Sequence, residues 1–351
     1  MNKKPLVSIL IPNYNYGHYL ENCIESAFNQ TYPNIEIIFQ DNNSTDNSYD
    51  IALKYEKKYR GTHRYFSVGK NKRNLGSDIN SNICRERSEG KYLMYLSSDD
   101  AIKPTCIERC VEIMEKYNNV GMVMTHRDEI YENGVSTKTP SFYNKSCIIP
   151  GEEQAAVFMM AGIAVPSQLL LRRSTMDLLI KRRTTAFQVA GDWYNNFLMA
   201  CCGDVAYINE ALCYYRVHTG SETSESEENL LGIFEHYQLI NCFKNTAESF
   251  NLKKPLERYE EAVKKLGSMC LRYTVKMLKA NKIDSAKKYL YIAPVFDESI
   301  INNKIYIDLK ECLELDMKEL KNKLEKISTL TRKISYEPPE GSEIIEMYTV
   351  K

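Results

Sequence analysis

The segment Gly90-Lys91-Tyr92-Leu93-Met94-Tyr95-Leu96-Ser97-Ser98-Asp99-Asp100 constrains this chain more than any other, because a short apolar run with the look of a buried strand ends in two adjacent carboxylates. Charge buried there without compensation is costly. Two acids at the carboxyl end of a core strand make sense when a divalent cation and its anionic ligand neutralise them: hard cations take oxygen ligands and bridge to phosphates, and open α/β sheets bind ligands at their carboxyl edge. Ile102, Lys103 and Pro104 then lead into a new helix, so the other reading is a solvated strand-to-helix turn with an acidic N-cap.

The residues upstream narrow the choice. Leu6-Val7-Ser8-Ile9-Leu10-Ile11-Pro12 is a near-continuous apolar run, the pattern of a strand buried on both faces in a parallel sheet. A loop from Asn13 to Gly17 follows, then Leu20, Cys23, Ile24, Ala27 and Phe28 at helical spacing, a stop at Tyr32-Pro33, and a second strand over Ile35–Phe39. This is a βαβ unit. Its second strand delivers Asp41-Asn42-Asn43-Ser44-Thr45-Asp46 at the carboxyl end, a polar turn opening a helix that runs to about Tyr59. Two strands thus place acids on one rim of one sheet.

Several ordered motifs resemble those of the family 2 glycosyltransferases. Val7 to Asn15 is similar to the family's opening strand and loop, Ser26-Ala27-Phe28-Asn29-Gln30-Thr31-Tyr32-Pro33 to its S-x-x-x-Q-T helix end, and Asp41–Asp46 to its D-D-G-S-T-D turn. Asn74-Leu75-Gly76 resembles the N-x-G loop, and Glu89-Gly90-Lys91-Tyr92 through Asp99-Asp100 and Pro104 the metal-site segment. The resemblance covers residues 5–125 closely and 150–220 more loosely. It implies an α/β fold of the GT-A type, a Rossmann-like nucleotide-binding sheet flanked by helices, and an inverting transferase dependent on a nucleotide sugar. By the same resemblance Pro12, Tyr14 and Asn15 line the nucleoside pocket, Asp41 and Asn42 meet the base, Asp99 the ribose, and Asp100 a divalent metal, Mn2+ or Mg2+. This chain departs from the family at Asn42 and Ser97, where an Asp is usual, and at Asn80-Ser81-Asn82 in place of an Arg-Asn pair. An amide both donates and accepts, so Asn42 is expected to pair with a uracil or thymine edge.

Farther on, Ala190-Gly191-Asp192-Trp193-Tyr194-Asn195-Asn196-Phe197 sets an acid at the start of an apolar-faced helix. It resembles the family's G-E-D region, which makes Asp192 the expected general base; shielding by the chain's single Trp suits that role by raising a carboxyl pKa. Gly-Asp before an apolar helix is also what capping alone selects. Tyr214-Tyr215-Arg216-Val217-His218-Thr219-Gly220-Ser221 is similar to the Y-R-x-H-x-x-S that closes the family's catalytic domain, which assigns Arg216 to the diphosphate and His218 to the metal; the alternative is a surface His at a strand end. His18, His63, His126 and His236 have no partners at ligand spacing and read as structural or solvated.

Composition bounds the partners. A formal net charge of zero over 351 residues argues against broad electrostatic binding of nucleic acid. Eleven Cys with no C-x-x-C pair read as reduced, mostly buried thiols of a cytoplasmic protein. The apolar run after Lys3 and Lys4 stops at Pro12, too short for a signal peptide, and no stretch approaches a membrane span, leaving at most peripheral membrane contact. From about Ser224 the pattern becomes helical and charged, over about 226–250, 256–281, 284–293 and 308–333, with breaks near Pro255, Pro294 and Asn302-Asn303. The expected organisation is a catalytic domain over 1–223, a helical region over 224–334 for acceptor recognition or homo-oligomerisation, and a flexible tail over 335–351.

The expected function is non-processive transfer of a hexosyl or N-acetylhexosaminyl group from a nucleoside diphosphate sugar, most simply UDP-linked, to a hydroxyl of a glycan or protein acceptor in bacterial surface-glycan or glycoprotein synthesis. A nucleotidyltransferase should carry a Gly-rich, basic phosphate loop after the first strand, which Asn13–Gly17 does not supply. The competing reading is a catalytically inactive nucleotide-sugar-binding or partner-binding protein on the same fold.

Overall fold

The computed structural model describes residues 4–61, 65–180, 187, 190–218, 228–315, 317–327 and 334–346. His63, the Thr219–Ser221 end of the closing motif and residues 347–351 lie outside them. The chain opens as read: β1 (Val7–Asn13), α1 (Gly17–Phe28), β2 (Ile35–Asp41), α2 (Ser48–Tyr59) and β3 (Tyr65–Lys70), the three strands parallel and in register so that Asn13 stands beside Asp41 and Asp41 beside Lys70. β1 and β2 are covered on both faces, which is why their sequences are apolar without alternation.

After α3 (Ser77–Glu86), β4 (Tyr92–Tyr95) pairs with the opposite side of β1. Strand order therefore reverses between β1 and β4, and the carboxyl edge at that switch point is where an open α/β sheet offers a crevice. Close approach at the other edge requires Gly90: a Cβ there would stand 2.4 Å from the Ser8 hydroxyl. The Gly90 N–H instead donates to that oxygen at 2.8 Å, and the Glu36 carboxylate accepts from both Ser8 Oγ and the Glu89 N–H at 2.6 Å.

The middle of the chain supplies β5 (Ala101–Ile102), α4 (Cys106–Lys116), β6 (Val120–Tyr131), β7 (Ser136–Thr137), β8 (Cys147–Ile149), α5 (Gly151–Met160), a 3-10 turn (Pro166–Gln168), β9 (Leu169–Arg172), α6 (Arg173–Ile180), α7 (Gly191–Cys202) and β10 (Asp204–Val217). With β11 (Glu343–Ile344), the sheet runs β11-β8-β10-β6-β9-β4-β1-β2-β3, parallel at the β4-to-β3 end and mixed elsewhere. The result is the expected α/β fold, a central sheet flanked by helices and followed by a helical region.

That region comprises α8 (Leu231–Ser249), α9 (Lys253–Glu257), α10 (Tyr259–Lys279), α11 (Ile283–Phe296), α12 (Lys304–Cys312) and α13 (Met317–Lys326). Asn303 marks a break as expected, its side chain accepting from the Ile305 N–H at 2.8 Å to cap α12, whereas Pro294 is held inside α11 near its end. The helices share one apolar core with α5, α7 and one face of the sheet: Phe243 stacks on Phe197 with ring centroids 4.1 Å apart, and Leu266, Cys270 and Tyr289 are buried in the same cluster as Met124 and Phe158. The tail differs from expectation. Tyr336 exchanges backbone hydrogen bonds with Phe142 and Asn144 at 2.7 and 2.8 Å, β11 pairs antiparallel with β8, and Ile345 is buried. The physical reason is the open edge of β8, whose unpaired backbone groups a returning strand satisfies.

Candidate active site

Four of the expected residues converge where β4 and β10 end. The Asp99 carboxylate lies 3.1 Å from Nε2 of His218, and the Arg216 guanidinium donates through Nε to the Asp99 carbonyl at 2.7 Å while stacking 4.3 Å from the Tyr19 ring. Tyr16 and Tyr19 wall in His218 with ring centroids 5.8 and 5.5 Å away. Asp100 is in a different position. Only 2 % exposed, it accepts from Ser167 Oγ at 2.7 Å on one oxygen and from the Arg216 N–H at 2.9 Å on the other. Burial, reinforced by the neighbouring Asp99 charge, pushes its carboxyl up to about 7. Asp100, expected as the metal ligand, thus ties β10 and the 3-10 turn beneath the site, and Asp99 is the acid that stands with His218. Among the described residues no three His, Cys, Asp or Glu side chains form a metal-holding group.

The rim expected to hold a nucleoside is built from the loops after β1, β2 and β3. Tyr14 is its open element, 40 % exposed, and Pro12 is tied through its carbonyl to Ser98 Oγ at 3.1 Å. Asn15 adopts a left-handed φ of 59° and holds the Thr45 N–H with its side-chain oxygen at 2.8 Å. Asn43, standing where the resembled motif has Gly, takes φ 63°, a conformation Asn tolerates better than most residues. Asp41 is fully buried, accepting from Asn13 Nδ2 at 3.1 Å, Ser44 Oγ at 2.6 Å and the Ser44 N–H at 2.9 Å. Asn42, expected to offer its amide to a base, is likewise engaged: Nδ2 donates to Asn74 Oδ1 at 2.7 Å and the Gly76 carbonyl at 3.2 Å, and Oδ1 accepts from Asn71 Nδ2 and the Leu75 N–H at 2.9 Å.

Asp192 lies in the first turn of α7, and the capping alternative does not hold because Ala190 is the cap residue. Its carboxylate accepts from the Trp193 N–H at 2.7 Å, and burial pushes it up to about 6. Trp193 is locked by its indole N–H on the Phe158 carbonyl at 2.7 Å and by Gly162, whose missing Cβ leaves room for the indole face. Asp192 shares its electrostatic environment with the paired acids. The Tyr215 hydroxyl is raised first by burial, is lowered by Arg127, and is raised further by Asp100, Asp99 and Asp192 together.

Three site residues carried no sequence motif. Ser167 bridges Asp100 and the Ser97 N–H, the latter at 3.0 Å. Arg127 stacks 4.3 Å from the Tyr215 ring and donates to Gln168 Oε1 at 3.0 Å, adding a cation beside the acids. Glu235, from the helical region, accepts from the Ala190 N–H at 3.1 Å and so holds the start of α7. Their only sequence signals are a Pro-Ser turn and charges in otherwise apolar elements. His126 donates through Nε2 to the Thr139 carbonyl at 2.8 Å, and His236 packs edge-on to Trp193, its pKa lowered to about 4 by burial.

A mixed sheet with acids at its switch point, a basic closing strand and a helical back layer defines an α/β protein of glycosyltransferase architecture. Residues 8–177 match the family described as "Glycosyl transferase family 2", and this segment carries that family's pattern. It is 26 % identical over 351 residues to an uncharacterized glycosyltransferase of Haemophilus influenzae, spanning 95 % of this chain and 99 % of that protein. It is 32 % identical over 136 residues to the chondroitin synthase of Escherichia coli, 38 % of this chain and 19 % of that enzyme. The fold is similar to that of S. aureus TarS 1–349 in complex with UDP-GlcNAc, with a TM-score of 0.54 at 16 % identity, over 88 % of this chain and 90 % of that one.

Proposed function

We propose that this chain is a non-processive, inverting glycosyltransferase that moves a hexosyl or N-acetylhexosaminyl group from a UDP-linked sugar to a hydroxyl of a glycan or protein acceptor, in the cytoplasm and in the service of bacterial surface-glycan or glycoprotein synthesis. The observation that carries the reading is the Asp99–His218–Arg216 corner at the end of β4, with Asp192 in the same electrostatic environment. A relative named for chondroitin synthesis, and the TarS fold bound to UDP-GlcNAc, support the substrate class.

A divalent ion, Mn2+ or Mg2+, fits this corner. Asp99 and His218 set a carboxylate and an imidazole side by side, 3.1 Å apart from Oδ2 to Nε2, a donor pair suited to such an ion. Asp99 and His218 would hold it, with Asp100 fixing the turn below. When bound, such an ion supplies neutralisation of charge on a departing diphosphate. Arg216 is placed to pair with a phosphate oxygen, and its stacking on Tyr19 limits its freedom. Asp192, with its raised pKa, accepts the proton of an acceptor hydroxyl as that oxygen attacks the anomeric carbon. Residues 1–223 act as the catalytic domain and 224–334 in acceptor recognition or self-association.

The test is incubation of the full chain with UDP-sugars, Mn2+ and candidate glycan acceptors. Cation-dependent release of UDP and a product of inverted anomeric configuration are expected. Retention of configuration, or undiminished transfer in excess chelator, overturns the mechanism; nucleotide binding without turnover on any acceptor returns the chain to the class of inactive binding proteins.

A further inference from the structure

The Asn42 side chain has two N–H donors and an oxygen with two acceptor positions, and all four are occupied by protein. Three of the four partners belong to one short loop: Asn74 Oδ1, the Leu75 N–H and the Gly76 carbonyl. The same loop is pinned internally by the Gly76 N–H donating to Asn74 Oδ1 at 2.9 Å, and Gly76 turns it into α3 with a left-handed φ of 85°. Behind Asn42 stands a relay of neutral amides. Arg87 donates to Gln40 Oε1 at 2.6 Å, Gln40 Nε2 to Asn71 Oδ1 at 2.7 Å, and Asn71 Nδ2 at 2.9 Å to both Asn42 and Asn80; Asn80 Nδ2 returns to the Gln40 carbonyl at 3.0 Å. Each member passes a hydrogen bond onward, and Asn42 is the last, delivering two to the loop.

We infer that Asn42 is a positioning residue that closes the Asn74–Gly76 loop over the nucleobase end of the donor crevice, that it does not itself read the base, and that this chain requires a neutral amide there. The inference rests on the reading of the rim as a donor-nucleotide site. A carboxylate at position 42 could still accept from Asn71 and Leu75, but it would confront two further acceptors, Asn74 Oδ1 and the Gly76 carbonyl, with nothing to donate. Rotating the Asn74 amide to meet it would strip the Gly76 N–H of its acceptor. At Asn42, only 2 % exposed, a polar group left facing acceptors it cannot pair with costs more than the lost bond alone. The residue and the loop are therefore matched, and the departure from the usual Asp is a change of role.

The experiment compares wild type, Asn42→Asp and Asn74→Ala as full chains, measuring UDP affinity with Mn2+ by calorimetry and hydrogen exchange of the Leu75–Gly76 segment. For Asn42→Asp the expected result is exchange at Gly76 faster by about tenfold or more and UDP affinity weaker by a similar factor, the scale of one or two lost hydrogen bonds. Asn74→Ala, at an exposed position and so no threat to folding, should shift both readouts in the same direction. If Asn42 reads the base, Asn42→Asp binds UDP as tightly as wild type or more tightly and Asn74→Ala leaves binding unchanged; either result overturns the inference. Faster loop exchange with unaltered UDP affinity in both variants also overturns it, because the loop is then no part of the donor site. Failure of the wild-type protein to bind UDP, ADP or GDP overturns the donor reading itself, an outcome distinct from the others.

Discussion

In its proposed role as general base, Asp192 is under two opposed demands. The folded chain holds its carboxyl near 6, above the ordinary 3.8, because burial penalises the charged form. The folded state therefore binds the proton more tightly than the unfolded chain, so the stabilisation is complete below about 3.8 and is lost as pH rises through about 6. A general base needs the opposite, deprotonated state. Asp192→Asn should accordingly melt above wild type at pH 8, with the gap closing toward pH 4, while turnover falls by about two to four powers of ten and UDP affinity is unchanged. Thermal melts at the two pH values and initial rates check this, and a variant at wild-type rate would remove Asp192 from the chemistry. Wild-type activity should rise with pH to a plateau above about 6. The paired acids should separate by phenotype. Asp99→Ala and His218→Ala should raise the Mn2+ concentration needed for half-maximal activity with little change in melting temperature. Asp100→Ala should lower the melting temperature instead, since it leaves the Ser167 hydroxyl and Arg216 N–H without their buried acceptor.

The element that links the helical region to the chemistry is α8. Its Glu235 accepts from the backbone N–H of Ala190, one residue before Gly191-Asp192, and its Phe243 stacks on Phe197 of α7. Glu235→Ala should misplace the start of α7, reducing turnover while sparing UDP affinity; Glu235→Gln keeps an acceptor oxygen and should restore much of the rate. A rate loss in the Ala variant matched by an equal loss of UDP affinity would argue against positioning through α7. The same contacts explain why the helical pattern after residue 224 does not mark a separable body. Truncation there would expose Phe197, Phe158 and the buried face of α7 to water, and such a fragment is expected to lose its cooperative melt.

At the scale of the whole molecule, the sheet is closed at one edge by its own C-terminal strand. β11 covers β8, and the bridge between Tyr143 and Tyr336 continues the attachment. Deleting residues 334–351 should lower the melting temperature and leave β8 as an open edge that promotes association, measurable as a rise in light scattering on heating. Among the described residues no helix is long and apolar enough to cross a membrane.

The elements that could be read from sequence are those whose pattern is local. β1, β2 and β4 are apolar because both their faces are covered, the intervening helix shows its buried stripe in Leu20, Cys23, Ile24 and Ala27, and Asp99-Asp100, Arg216 and His218 are visible as charges at the ends of apolar runs. Tertiary structure alone decided how those charges are used. Nothing local distinguishes Asp99 from Asp100; a Ser 67 residues away and a backbone N–H 116 residues away engage the second and leave the first to His218. Nothing local shows that the Asn42 amide is saturated by a loop 32 to 34 residues downstream, or that the tail returns to the sheet. Hydrogen bonds formed across such separations depend on which strand ends the fold brings together, and the apolar periodicity that specifies each strand carries no information about its distant partners.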